Sequence, residues 1–329
     1  MRSDAEVGEI SGGFLVWVGV AFLAAACWGL VVVLNKQVLE HVRPIPVNFF
    51  VLVVSTVSLV VVAVPLSLLH LWSLGFTMTW TAAGYIAIGS SVTWLIAFTA
   101  YYSALRSGRV SVVGPLTCTD PLFTAGFAAL IVGTAIVGLT IAGLLVALTG
   151  VVLISRWMDD EPEPHAPALE GAAGPRLHAS ARTVVALSLV TAAGWGFSPV
   201  MIQLAERSTH GASTTMMVLG EALGVVLLAP FMLVRRRPLL AASLQAAERR
   251  RVIGLLVAAG VLNALFTVMW YVLIDQIGPV LTTLIVATSP IFAILGGIVL
   301  LRERLGARLV LGAAITLTGV FLATLPHVH

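Results

Sequence analysis

Long apolar runs follow one another along the chain, at residues 14–34, 47–69, 80–105, 110–131, 135–154, 183–205, 212–234, 252–274, 279–301 and 307–325. Each is continuous rather than alternating, and a helix of about 20 apolar residues crosses a hydrocarbon core. Outer-membrane strands would alternate and be about half as long. The pattern predicts an all-α polytopic membrane protein with ten transmembrane helices. The first run follows Arg2, Asp4, Glu6 and Glu9 rather than the positive start of a cleavable signal, so it is read as a retained span.

One connection is long. Residues 155–181 hold Asp159, Asp160, Glu161, Glu163 and Glu170 among Pro162, Pro164, Pro167 and Pro175, a composition that suits a solvated linker. The segments on either side match each other. Trp28-Gly29 recurs as Trp195-Gly196, and Pro44 aligns with Gly211, both 167 residues on. Tyr102 meets Tyr271, Pro121-Leu122-Phe123 meets Pro290-Ile291-Phe292, and Leu148 to Val151 meets Leu317 to Val320, all 169 on. The expected organisation is therefore a first five-helix repeat over 14–154, the linker over 155–181, and a second repeat over 182–325. An odd number of spans per repeat makes the second copy enter the membrane from the opposite side, the inverted-topology arrangement of alternating-access carriers.

Composition agrees: 59% of residues are apolar, 10% are charged, and mean hydropathy is +1.04. The net charge of +3 is small, so the placement of charge carries more information than its sum. Of the 18 Lys and Arg, sixteen fall in the odd-numbered loops, among them Lys36, Arg43, Arg106, Arg109, Arg156 and the Arg235 to Arg251 group, whereas Arg2 and Arg207 lie on the other side. Positive residues favour the cytoplasm, so both termini are expected outside. The arginine-rich loop has no interleaved aromatics and sits between two spans, which makes it a topology signal rather than a nucleic-acid patch. Cys27 and Cys118 lie in apolar runs without ligand spacing, so neither a disulfide framework nor a zinc site is expected.

Ionisable residues inside a span cost about 2.5–3.5 kcal/mol at mid-helix on insertion scales, so each needs a reason. Asp120 sits inside the fourth run directly before Pro121, with Pro115 upstream; proline opens a helix and frees carbonyls near the carboxylate. Glu221 lies inside the seventh run between Gly220 and Ala222, where small residues permit close helix approach. Either carboxylate can bind a proton or a substrate amine in a central cavity, or serve as a neutral structural carboxyl bonded to a neighbouring helix. Asn263 falls where Trp94 falls in the first repeat, a break in symmetry of the kind that substrate recognition requires. Trp28, Trp195, Trp94, Tyr102 and Tyr271 are candidates to line the cavity. Aromatics near span ends also form interface belts. The hydroxyls of Thr56, Ser58, Thr93, Thr99, Ser111, Thr117, Thr119, Thr191, Ser198, Thr288 and Ser289 are expected mostly to bond between helices. Pro121 and Pro290 are the candidate hinges.

The chain contains no H-E-x-x-H, G-x-S-x-G, G-x-x-x-x-G-K or paired-Cys motif, which argues against an enzyme, an ATP-driven pump or a bound cofactor. The Trp-Gly pairs of the first and sixth runs and the stretch from Leu281 to Gly306, closing in Arg302-Glu303-Arg304-Leu305 like a Gly-Glu-x-Leu ending, resemble the EamA-type branch of the drug/metabolite transporter superfamily. The resemblance covers nearly the whole chain. The first repeat departs at Val132-Gly133-Thr134-Ala135, and Asn48 stands where many members have arginine. Asp120 is not a residue the resemblance supplies. The resemblance implies an inner-membrane secondary transporter, with export of amino acids or related small amphipathic metabolites as the first expectation and protons as a candidate coupling ion. A multidrug or metabolite importer or facilitator of the same fold, a passive channel and an enzyme acting on lipid-linked substrates are the alternatives. The expected partners are a small-molecule substrate and the lipid bilayer, not nucleic acid; oligomeric state is left open.

Overall fold

The computed structural model describes residues 4–68, 78–108, 110–133, 138–160, 180–209, 213–235, 246–277, 279–300 and 306–324. Residues 161–179 of the linker, the Arg302-Glu303-Arg304-Leu305 ending, Thr134-Ala135, Gly211, and Arg2, Arg109, Arg176, Arg236 and Arg237 lie outside these ranges.

The described chain is helical. Helices α1 (Asp4–Leu39) and α2 (Pro44–Leu68) are followed by α3 (Trp80–Ser90), which runs through a π-helical turn (Ser91–Ala97) into α4 (Phe98–Ser107). Next come α5 (Val110–Thr117), α6 (Asp120–Phe127) with a π turn at Ala128–Val132, and α7 (Gly138–Asp160). After the linker stand α8 (Ala181–Ser208), α9 (Ser213–Arg235), α10 (Ala246–Ile277), α11 (Pro279–Val286), α12 (Ser289–Leu300) and α13 (Ala307–Thr324). Among the described residues, seven helical stretches are long and apolar enough to cross a membrane, and Ile141–Leu153, Ser289–Leu300 and Val310–Gly319 are shorter apolar helices. Two helices start six or more residues before their apolar runs, α1 at Asp4 and α10 at Ala246, because Glu, Arg and Ala continue a helix into the polar zone.

The outside of the bundle is apolar and much of its polar chemistry is inside, as lipid requires. Leu130, Leu233 and Val299 are 84, 74 and 73% exposed, while Asn35, Asn48, Ser55, Ser188, Thr191, Glu221 and Asn263 are buried. Ends are closed locally. Thr79 Oγ1 accepts from Ala82 N at 3.2 Å and Ser180 Oγ from Thr183 N at 3.3 Å, capping α3 and α8. Lys36 Nζ, in the last turn of α1, donates to the Leu105 and Gly108 carbonyls at 2.6 Å each, placing a cation at the C-terminus of α4. Lys36→Met removes both bonds and is expected to cost about 2 kcal/mol, read as a lowered unfolding temperature in detergent.

Neighbours come in pairs that exchange the two halves. Helix α1 packs on α10 and α12, as α8 packs on α3, α4 and α6; α2 faces α9 and α7 faces α13. Glycines set the closest approaches. A Cβ on Gly29 would meet Phe292 Cβ at 2.7 Å and Ala293 N at 2.9 Å; one on Gly196 would meet Phe123 Cβ at 2.7 Å and Thr124 N at 2.8 Å. Those partners are themselves 169 residues apart, so one contact is built twice.

The hydroxyl expectation needs correcting. Thr56, Ser58, Thr117, Thr119 and Thr288 donate to carbonyls three or four residues back in their own segments, the local bond a hydroxyl in a helix reaches without any neighbour. Thr191 and Ser289 do cross: Thr191 Oγ1 reaches the Ala97 carbonyl at 3.2 Å as well as Leu187 in its own helix, and Ser289 Oγ lies 3.8 Å from Cys118 Sγ.

Candidate functional site

The fourth and ninth apolar runs are each broken in the middle, at matching places. Cys118-Thr119 separates α5 from α6, and Ala287-Thr288 separates α11 from α12, 169 residues on. Asp120 is therefore the first residue of a half-helix rather than the middle of a whole one. The cause is local: Pro121 and Pro290 lack the N–H that would continue the ladder. The turns are secured identically. Cys118 N bonds Gly114 O at 3.0 Å and Ala287 N bonds Thr283 O at 2.8 Å; Leu122 N and Ile291 N turn back to the Thr119 and Thr288 carbonyls, both at 3.0 Å. Thr119 Oγ1 and Thr288 Oγ1 reach the Leu116 and Ile285 carbonyls at 2.9 and 2.7 Å.

Between the two breaks lies a cavity of about 120 Å³. Its wall includes Asp120, Glu221, Asn263, Trp28, Trp94, Trp195 and Tyr271 from the residues singled out in the sequence. Tyr102 is not on that wall; it is 1% exposed and accepts from Asn35 Nδ2 at 3.2 Å in the core beneath. Pro121 and Pro290 sit one residue beyond the lining residues Asp120 and Ser289. Cys118 also lines the cavity, and its Sγ lies 3.8 Å from Ser289 Oγ across the two breaks.

Glu221 is the best-held polar group here. Its Oε1 accepts from Ser55 Oγ at 2.9 Å, Thr267 Oγ1 at 2.8 Å and Asn263 Nδ2 at 3.3 Å, and Asn263 Nδ2 also reaches Ser55 Oγ at 3.0 Å. Its Oε2 is buried without a partner, and the residue is 1% exposed. Three side chains, one from α2 and two from α10, thus converge on one carboxylate oxygen. Gly220 makes room: a Cβ there would meet Ser90 Oγ at 3.0 Å and Tyr271 Oη at 3.5 Å. The sequence reading missed Ser55 and Thr267. Thr267 stands four residues after Asn263 on one helix face, which is a usable signal; Ser55 has no comparable mark among its neighbours Thr56 and Ser58.

Trp94 lies inside the π turn of the first half, and its carbonyl accepts from Asn48 Nδ2 at 2.8 Å. The matching stretch around Asn263 is regular α-helix. Opposed positions therefore carry an indole on a π turn and an amide on an α-helix, so the cavity is chemically asymmetric. Trp28 and Trp195 meet edge to face at 5.4 Å; Phe98 lies 5.2 Å and Tyr101 4.9 Å from Trp195. Below this aromatic floor the largest cluster of the core runs through Val38, Leu39, Leu105, Val110, Val184 and Val252, with a smaller one of Val112, Leu116 and Val151 beside it. Above it the core is split in two. One part holds Leu59, Ile86, Ile202 and Met216, the other Ala21, Ala24, Leu273 and Ile285, and partly buried Trp270 packs against both.

A polytopic helical bundle with a polar and aromatic cavity bracketed by two broken helices is the architecture of a secondary carrier. The chain belongs to the EamA-like transporter family, which it matches over residues 15–156 and again over residues 182–325. It is a multi-pass protein of the inner or plasma membrane, and the family is one of transporters rather than enzymes. A solved structure described as "Crystal structure of protein" is similar in fold, with a TM-score of 0.60 at 17% identity over 94% of this chain and 98% of that one. No curated protein matches it. Among the described residues, no group of three or more His, Cys, Asp or Glu is placed to hold a metal ion.

Proposed function

We propose that the chain is a ten-span secondary transporter built from two inverted five-helix repeats, 14–154 and 182–325, with the linker 155–181 between them, and that it exports amino acids or related small amphipathic metabolites through the central cavity in exchange for protons. The cavity walled by both helix breaks carries this reading, since discontinuous spans at the repeat interface are where carriers hold their cargo. The twofold match to the family and the exchanged pairs of helix contacts support the repeat. The carboxylates Glu221 and Asp120 are the proposed coupling groups, Trp28, Trp195, Trp94, Asn263 and Tyr271 the substrate wall, and Pro121 and Pro290 the hinges. Tyr102, outside the wall, is proposed to hold the floor.

Both termini are proposed to lie outside. The end of the bundle that holds Lys36 and Arg106 then faces the cytoplasm, and that is the end filled by the largest cluster of the core. On this reading the conformation described faces outward, with Trp270 at its mouth.

The test is uptake of a labelled amino-acid panel into proteoliposomes with and without an imposed proton gradient, for wild type, Glu221→Gln and Asp120→Asn. Gradient-driven accumulation, lost in one variant, supports the proposal and identifies the coupling carboxylate. Equal transport in all three, indifferent to the gradient, makes the protein a facilitator and both carboxylates structural. Absence of saturation and counterflow in wild type makes it a channel.

A further inference from the structure

The cavity offers a carboxylate no cation. Among the described residues that line it are the carboxyl groups of Asp120 and Glu221 and no lysine, arginine or histidine. The starts of the half-helices α6 and α12 supply little instead. Pro121 and Pro290 have no N–H, and the next N–H in each case, on Leu122 and Ile291, is spent on the Thr119 and Thr288 carbonyls at 3.0 Å. An amino acid in this cavity must therefore seat its carboxylate on neutral donors. Two of them stand open on the wall. Thr93 Oγ1 and Trp195 Nε1 are buried without a hydrogen-bond partner, and both residues line the cavity. An indole N–H can only donate, and a hydroxyl can do so. Buried polar atoms are nearly always paired, so two open donors on one wall call for an acceptor from outside the chain.

The free hydroxyl is an exception among its kind. Thr56, Ser58, Ser91, Ser103 and Ser188 all turn back to the carbonyl four residues earlier. Thr93 lies within the π turn and is 8% exposed, yet its hydroxyl makes no such bond. Packing fixes where it stands. Three residues before it is Ser90, whose Oγ a Cβ on Gly220, next to Glu221, would meet at 3.0 Å. On the other flank, a Cβ on Gly194, next to Trp195, would meet Ala97 Cβ at 2.6 Å and Val92 Cγ1 at 3.5 Å. The π turn is thus held between the turn of α9 that carries Glu221 and the turn of α8 that carries Trp195. Glu221 Oε2 is buried and unpartnered as well, an acceptor beside an Oε1 that already takes three donors. One open acceptor and two open donors on one wall match the two ends of a zwitterion. The rings of Trp28, Phe98 and Phe266 line the same cavity and suit an apolar body.

We infer that Thr93 and Trp195 form the carboxylate seat of this cavity: the Thr93 hydroxyl and the Trp195 indole N–H donate to the α-carboxylate of the cargo, which lies with its ammonium group toward Glu221. This rests on the reading of the cargo as an amino acid and narrows it to those with a free α-carboxylate. An α-amide of the same shape serves the seat poorly, because it has one acceptor and its NH2 turns a donor toward a donor. A carboxylic acid without an ammonium group meets two carboxyl groups with nothing to balance them, so the wall selects the zwitterion over the plain acid.

The test pairs phenylalanine and leucine with their α-amides, titrated calorimetrically into the full-length protein in lipid nanodiscs at a mildly acid pH, where the α-amines of all four are protonated. Each amino acid is expected to bind about tenfold or more tighter than its amide. Thr93→Val and Trp195→Phe are each expected to weaken the amino acids about tenfold and to leave the amides nearly unchanged, so that the preference collapses. Thr93→Ser keeps the hydroxyl and is expected to retain the preference. Thr99→Val is the control, since Thr99 Oγ1 is likewise buried and unpartnered but lies off the cavity wall; it is expected to change neither affinity. Amides that match the amino acids on wild type, amino-acid affinities untouched by Thr93→Val and Trp195→Phe, or a loss in those variants that falls equally on amino acid and amide would each overturn the seat while amino acids still bind. No binding of either amino acid removes the amino-acid reading itself, and the seat with it.

Discussion

Replacing Glu221 by glutamine is expected to abolish proton-driven accumulation and to leave the folded protein intact. Three donors, from Ser55, Asn263 and Thr267, end on Oε1. A glutamine carbonyl accepts the same three, and its NH2 takes the place of Oε2, which has no protein partner to lose. The amide cannot release or take up a proton, nor can it balance a cation in a medium where unpaired charge is costly. Gradient-driven uptake is expected to fall by a factor of about a hundred or more, equivalent to about 2.7 kcal/mol or more, with the unfolding temperature close to that of wild type. Glu221→Ala behaves differently. It strands three buried donors, at about 1–3 kcal/mol for each group left unsatisfied, so a loss of about 3 kcal/mol or more and a poor yield of folded protein are expected. Uptake and thermal unfolding of the two variants side by side separate the chemical role of the carboxyl from its structural one. Wild-type accumulation by Glu221→Gln would move the coupling role to Asp120.

The second large effect concerns the fold and not the site. Helices α7 and α13 pack through Gly150 and Gly319, and neither helix contributes to the cavity wall. A Cβ on Gly150 would fall on Thr316 Oγ1 and N, and one on Gly319 on Ala147 N and Cα. Apart from the Thr316 hydroxyl these obstacles are backbone, which cannot rotate aside, so the helices must separate. Gly150→Leu and Gly319→Leu are each expected to destabilise by about 3 kcal/mol, and by similar amounts, because the two contacts are copies related by the 169-residue offset. Gly84, Gly126 and Gly254 face open space. Alanine there is expected to be neutral or stabilising by up to about 1 kcal/mol. Thermal unfolding of the five variants in one detergent checks this; equal losses at Gly84 and Gly150 would show that close approach is not what α7 and α13 require.

Much of this was legible in the chain itself. Continuous apolar runs announce helices because lipid admits little else, and Trp28, Trp195, Pro121 and Pro290 announced the duplication because such residues seldom recur in step by chance. Glu221, Asp120 and Asn263 stood out by the cost of burying them. Tyr102 and Tyr271 show where the reading ran out. They occupy matching positions, yet Tyr271 lines the cavity and Tyr102 lies under Asn35. The π turn at Ser91–Ala97 precedes Tyr102 and has no counterpart before Tyr271, and it turns the residues after it relative to those of a regular helix. Nothing in Ser-Val-Thr-Trp-Leu-Ile-Ala distinguishes π from α; the turn depends on neighbours such as Asn48 and Thr191, which accept no part of it in sequence but bond its Trp94 and Ala97 carbonyls in space. Ser55 was invisible for a related reason. A serine among Thr56 and Ser58 looks like them, and only the approach of α9 and α10 gives it Glu221 and Asn263 as partners.

The central claim is that one cavity serves both faces of the membrane in turn. Cys118 lines that cavity, and Cys27 is the only other cysteine in the chain. In a Cys27→Ala variant, a small membrane-impermeant methanethiosulfonate applied to right-side-out and to inside-out vesicles reads access to the same sulfur from each side. The carrier mechanism predicts modification from both sides, with the inner and outer rates changing in opposite directions when a proton gradient is imposed. Modification from one side only, or from neither, would contradict it.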